Sequence, residues 1–166
     1  MRLTVYTDFA LRVLIYVAVH PEPKPTIAEI AASYRVSRNH LMKVVYELGV
    51  AGYLETSRGK NGGLRLARPP QAIGLGELVR RTEPDLDLVE CFSPESGRCA
   101  ITPACKLRGV LHQAKAAFLR VLDGYTLADL VEDPAALRAL LDRQPHQDAA
   151  PPPSRPVAAP RRADKP

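Results

Sequence analysis

Apolar positions in the first twenty residues recur with helical spacing. Val5, Phe9, Val13 and Val17 form one stripe, and Leu11, Leu14, Ile15 and Ala18 widen it. This predicts a helix over about 4–19, apolar enough to be covered on more than one side. The run "HPEPKP" breaks it. In "TIAEIAASY", Thr26 and Glu29 have the spacing of a capping box, and Ile27, Ile30 and Ala31 supply an inward face. After the short turn "RV", Ser37 is expected to cap a further helix. In it Leu41, Val44, Val45 and Leu48 recur at i, i+3, i+4 and i+7, and Gly49 and Gly52 end it. The period then changes. "YLETS" and "GLRLAR" alternate as strands do, with "RGKNGG" between them. Two short helices joined by a tight turn and followed by a hairpin describe a winged helix-turn-helix.

Beyond Pro69 and Pro70, "IGLGELVRRTE" predicts a short helix. A loop over about 84–103 precedes a longer helix over about 104–122, in which Leu107, Val110, Leu111, Ala114, Phe118, Leu119 and Leu122 are apolar. A lone helix cannot satisfy so broad a stripe, so it packs on the domain or on a second copy of itself. Thr126 and Asp129 cap a short helix, and "PAALRALLD" adds a last turn or two. From about residue 144 the chain is rich in proline and alanine without period, which reads as a disordered tail. The expected class is mainly α with a small β-hairpin wing: a winged helix-turn-helix DNA-binding domain plus a long dimerisation helix. The expected organisation is a DNA-binding domain over 1–82, a cysteine loop over 83–103, a dimerisation helix with short helices over 104–142, and a tail over 143–166.

Composition narrows the setting. A chain of 166 residues, 46% hydrophobic, can bury a core without disulfide staples. Asp8 and Arg12 interrupt the first apolar run, and no small-residue cleavage site follows, so a signal peptide is not expected. No uninterrupted apolar stretch approaches the roughly 18 residues of a membrane span. The expected compartment is the cytoplasm.

Charge is distributed unevenly. Between Arg35 and Arg68 stand seven basic residues and two acidic ones, which accounts for the whole net charge of +5. A localised excess on a short helix and a hairpin is the footprint of a phosphate contact. Arg38 can bridge guanine and Asn39 adenine in a major groove; His40 and Lys43 lie further along the helix. Ser37 can offer a phosphate its hydroxyl or amide. In the hairpin, Gly59, Gly62 and Gly63 permit a tight tip, and Arg58, Lys60 and Asn61 lie where a minor groove would be entered. A solvated basic face alone would not explain the capped helix pair and glycine-rich hairpin beside it. The expected partner is a double-stranded, pseudo-palindromic DNA operator, bound by a homodimer. No membrane partner is expected.

All three cysteines, Cys91, Cys99 and Cys105, lie in "CFSPESGRCAITPAC". Their odd number and a reducing compartment argue against a disulfide framework. A reversible thiol switch, inert thiols, structural zinc and an iron–sulfur cluster all remain open. Zinc sites favour closer cysteine pairs, and His112 lies about two helical turns past Cys105. A cluster tolerates wider spacing but normally has four ligands.

"TDFALRVLIYVA", "SRNHLMKVVYELGVAGYL", "RGKNGGLRLAR" and "CAITPACKLRGVL" together resemble the Rrf-type winged-helix regulators, over roughly residues 1–133. Within them the likeness is to nitric-oxide-sensing repressors. The resemblance implies a homodimeric, non-enzymatic repressor of nitric-oxide detoxification genes, with a 4Fe–4S cluster on Cys91, Cys99 and Cys105. It implies Asp8 of the partner subunit as the fourth ligand. Read without the resemblance, Asp8 has Arg12 at i+4 and forms a surface ion pair. Glu83, Asp85, Asp87 and Glu90 are further oxygen donors that read as a solvated acidic loop. The alternatives are a related regulator with a 2Fe–2S cluster, a DNA-binding protein with structural zinc, and an electron carrier or enzyme. The last leaves the basic wing unexplained.

Overall fold

The computed structural model describes residues 2–59, 62–93 and 99–143. Helix α1 (Val5–Val19) is the hub, in contact with the elements on either side of it in the fold. Thr4 caps it by accepting the Thr7 amide, and seven of its fifteen residues are buried. Helix α2 (Ile27–Tyr34) starts with the predicted capping box: the Glu29 carboxylate accepts the Thr26 amide at 2.6 Å, and the Thr26 hydroxyl accepts the Glu29 amide at 3.3 Å. The turn to helix α3 (Arg38–Val50) passes through Arg35 in the left-handed region, at φ 53° and ψ 44°. Few side chains adopt that conformation, so this turn carries local strain.

Strands β1 (Leu54–Ser57) and β2 (Gly63–Leu66) pair antiparallel, Leu54 opposite Leu66 and Ser57 opposite Gly63. The fold is therefore mostly helical with one hairpin, as expected. Gly59 turns the chain at φ 100°. Gly63 is packed so closely that a Cβ would lie 2.7 Å from the Lys24 backbone oxygen. The Leu64 amide also donates to the Pro25 carbonyl at 2.9 Å, so the wing is fastened to the entrance of α2.

Helix α4 (Leu75–Thr82) follows a 3-10 turn at Pro70–Ala72. It begins later than "IGLG" suggested, because Ile73 and Gly74 stay extended and engage the segment after the long helix. The Leu127 amide donates to the Ile73 carbonyl at 2.8 Å, and Gly74 bridges Thr126. Helix α5 (Lys106–Asp123) begins two residues later than predicted. Thr102–Ala104 form a 3-10 turn, and Cys105 is extended at ψ 102°, which delays the helix to Lys106. Helices α6 (Leu127–Leu130) and α7 (Pro134–Leu141) are the last described elements. The Thr126 amide donates to Asp129 at the start of α6, and Asp133 accepts the Ala136 amide at the start of α7. The tail expected from about residue 144 lies outside the described residues.

The core gathers Leu14, Ile30, Leu41, Leu48, Tyr53, Leu64, Leu78 and Leu127. Polar links cross it in a chain: the buried Thr7 hydroxyl donates to Thr82 Oγ1 at 2.9 Å, which donates to the Leu78 carbonyl at 2.9 Å. Thr4 donates its amide to Glu83 at 2.8 Å, joining the start of α1 to the end of α4. Between α4 and α5, Arg80 grips Asp123 through two bonds of 2.6 Å. Gly76 makes room for that pair, since a Cβ there would lie 1.9 Å from Asp123 Oδ1. No helix among the described residues is long and apolar enough to cross a membrane.

Candidate nucleic-acid interface and cysteine loop

Helix α3 is two-faced. Leu41, Val44, Val45 and Leu48 are at most 3% exposed, whereas Arg38, Asn39, His40 and Lys43 all face solvent. Ser37 occupies the capping position, but its hydroxyl makes no capping bond, contrary to the sequence expectation. The residue is exposed, so water can serve the first-turn amides, and the hydroxyl and amides stay open outward.

The basic residues divide into engaged and open. Arg65 pairs with Glu55 across the hairpin. Arg68 lies 4.4 Å from the centre of the Tyr53 ring and 3.5 Å from Glu77. Lys43 lies 3.8 Å from Glu47. Burial, and then the neighbouring Glu47 carboxylate, push the Tyr6 phenol well above its usual range. Arg35, Arg38 and Arg58 have no carboxylate partner among the described residues. The tally of +5 already sets Glu47 and Glu55 against Lys43 and Arg65, but not Glu77 against Arg68, so this surface offers a polyanion slightly less than the tally suggests. Gly62 lies at the base of the wing tip, where a Cβ would lie 2.4 Å from the Ser57 carbonyl oxygen. Lys60 and Asn61, the other tip residues singled out from sequence, lie outside the described residues.

Asp8 sits in the first turn of α1 and is held by Arg12 through bonds of 2.9 and 2.8 Å. The Arg12 guanidinium in turn lies 6.0 Å from the Phe9 ring centre and 5.6 Å from that of Tyr34. Burial pushes the Tyr34 phenol up to about 12, against the opposing field of Arg12. Phe9 also faces His40 of α3, with ring centres 6.5 Å apart. Asp8 is therefore one contact removed from the helix-turn-helix.

In the cysteine loop all three thiols are free. A 3-10 turn (Glu90–Phe92) carries Cys91, whose carbonyl accepts Arg108 Nε at 3.1 Å, and Cys105 directly precedes α5. Phe92 stacks on His112 at 3.9 Å, with Lys115 5.2 Å from its ring centre. This aromatic contact fastens the loop to α5, and it gives His112 a packing role that sequence spacing did not reveal. The loop's two ends therefore meet at the N-terminal end of α5. Thiolate donors suit iron–sulfur chemistry. The side chains are not drawn together, however: no three His, Cys, Asp or Glu residues gather at metal-binding distance among the described residues. Residues 94–98 of the loop lie outside them.

Comparisons with known proteins agree with this architecture. The chain is 56% identical to the HTH-type transcriptional regulator NsrR of Geobacillus kaustophilus over 142 residues, 85% of this chain and 97% of the relative. It is 50% identical to the Bacillus subtilis protein of that name over the same length and the same shares. Among solved structures, the global cysteine regulator CymR of B. subtilis matches with a TM-score of 0.63 at 26% identity, covering 80% of this chain and 97% of that one. IscR of T. potens matches with a TM-score of 0.64 at 25% identity, covering 80% and 88%. The family model described as Rrf2, iron-dependent transcriptional regulator, matches residues 3–133. With a family match over most of its length and relatives above half identity, the chain belongs to the Rrf2 family of iron-dependent transcriptional regulators.

Proposed function

We propose that this regulator, which is not an enzyme, is a homodimeric repressor that senses nitric oxide through a 4Fe–4S cluster and controls nitric-oxide detoxification genes. Cys91, Cys99 and Cys105 hold the cluster, with Asp8 of the partner subunit as the fourth ligand. The observation that carries the reading is the cysteine loop. It collects every thiol of the chain, none bonded to another, and its two ends meet at α5. The similarity to proteins named NsrR supports it. When bound, such a cluster supplies iron that nitric oxide can ligate. The Asp8–Arg12 pair is half-exposed, so exchanging it for another partner costs Asp8 little. Released from Asp8, Arg12 still faces Tyr34 of α2 and Phe9, which faces His40 of α3.

Operator binding is assigned to Ser37, Arg38, Asn39, His40 and Lys43 of α3, with Arg58, Lys60, Asn61 and Gly62 of the wing. The exposure of the α3 residues supports this, as does the lack of a carboxylate partner for Arg38 and Arg58 among the described residues. Dimerisation is assigned to α5. Its exposed residues Leu107, Val110, Ala114, Ala117 and Val121 recur at a and d spacing, with small alanines at the centre that let two helices approach closely. The cytoplasm follows from this role.

Anaerobically purified protein tests the reading. Visible absorption with four irons and four sulfides per chain is expected, and nitric oxide should release the protein from its operator. Two irons per chain would favour the 2Fe–2S alternative. A colourless protein with zinc, or operator binding indifferent to nitric oxide, would overturn the sensor.

A further inference from the structure

The outward face of α3 carries more than polar residues. Met42 is 44% exposed and Tyr46 71% exposed, on a helix whose inward face is already complete. Met42 lies one turn beyond Arg38, and Tyr46 one turn beyond both Met42 and Lys43, so the two side chains interleave with the proposed base and phosphate readers. The Tyr46 hydroxyl has no hydrogen-bond partner among the described residues. Adjacent on one face and one turn apart, Met42 and Tyr46 form a small exposed patch and not a single exposed side chain, and it is the patch that marks a contact surface. The surface around them is cationic, with Arg35, Arg38 and Arg58 unpaired among the described residues, which suits a polyanion and not an apolar protein face. In the major groove of DNA the one apolar group on a base edge is the thymine C5-methyl.

We infer that Met42 and Tyr46 are specificity-determining residues that pack against thymine methyls of the operator. This rests on α3 being the recognition helix. Arg38 and Asn39 select by hydrogen bonding, and Met42 and Tyr46 add a requirement for thymine where hydrogen bonding alone would be satisfied by other arrangements. Val50 continues the exposed stripe to the last residue of the helix, three turns beyond Arg38, and takes no part.

The test uses the full-length protein and duplexes it selects from a random-sequence library. In the enriched duplex each thymine is replaced in turn by deoxyuridine, which removes only the methyl. At one or two positions per half-site the wild-type protein should lose about fourfold in affinity, the equivalent of about 0.8 kcal/mol for one buried methyl. In Met42→Ala and Tyr46→Ala that loss should shrink below about twofold at the position each residue reads. Val50→Ala and Arg38→Ala should keep the full loss, Arg38→Ala against a weaker baseline. Since Met42 and Tyr46 are exposed, their variants should melt with the wild type. A duplex with no methyl-sensitive thymine would overturn the inference alone. So would sensitivity that persists in both variants, or unchanged DNA binding accompanied by lost self-association. Failure of the library to enrich any duplex would sink the recognition-helix reading as well.

Discussion

Helices α1 and α5 are of similar length and opposite character. Seven of the fifteen residues of α1 are buried, whereas none of the eighteen of α5 is. Both are rich in apolar side chains. The difference is that α1 is enclosed by its own chain, while α5 is covered along one side only, where Leu111, Phe118 and Leu122 turn inward. Leu107, Val110 and Val121 remain about 60% exposed on the other side. One half of the molecule thus completes its core alone. The other half presents a prepared surface, and the cysteine loop is fastened to it through Arg108 and Phe92.

The contrast can be broken from either side. Leu78→Ala, in the closed half, should cost about 2–5 kcal/mol of stability by urea denaturation, because a fully buried side chain leaves a cavity. Val110→Asp, in the open half, should change the stability of the isolated chain by only about 0.5 kcal/mol. It should instead weaken self-association about tenfold or more in sedimentation velocity; a dimer indifferent to this change would place the interface elsewhere. Within the basic surface, Arg58→Ala should lower the slope of log affinity against log salt by about one, whereas Arg65→Ala, already neutralised by Glu55, should leave it nearly unchanged.

The smallest expected effect is in acid. The hydrogen bonds from Arg80 hold the Asp123 carboxyl below its ordinary value, and those from the Thr126 backbone and hydroxyl do the same for Asp129. Groups lowered on folding contribute fully above their unfolded value and lose that contribution as pH falls through the folded one. The junctions of α5 and α6 should therefore be steady from neutral pH down to about 4 and loosen below it. Amide exchange at pH 5 and pH 3 checks this: α6 should gain more exchange than α1.

How much was legible in the sequence follows from the range of the interactions. The Thr26–Glu29 box and the Asp8–Arg12 pair lie within one turn of chain, and both form as their spacing predicts. The hairpin was visible because its period differs from that of its surroundings. Ser37 looked like Thr26 yet makes no capping bond, since residue type permits a cap without dictating the side-chain rotation. The broad stripe on α5 called for a packing partner, the domain or a second copy, but did not say which residues turn inward. The stacking of Phe92 on His112, the Arg108 bond to Cys91 and the loss of Arg68 to Tyr53 and Glu77 join residues far apart in sequence or in different elements. Local periodicity contains no record of them. The three cysteines were conspicuous by composition, but their spacing does not say how near to one another the fold brings them.

Gly76 shows how an electrically silent change can act as an electrical one. A methyl group at that position would occupy the place of the Asp123 carboxylate and force it away from Arg80. Gly76→Ala would leave the net charge at +5 and every ionisable residue in place, yet it would undo a two-bond ion pair. A survey of variants that counts charges gained and lost would pass over the residue whose missing side chain makes that pair possible.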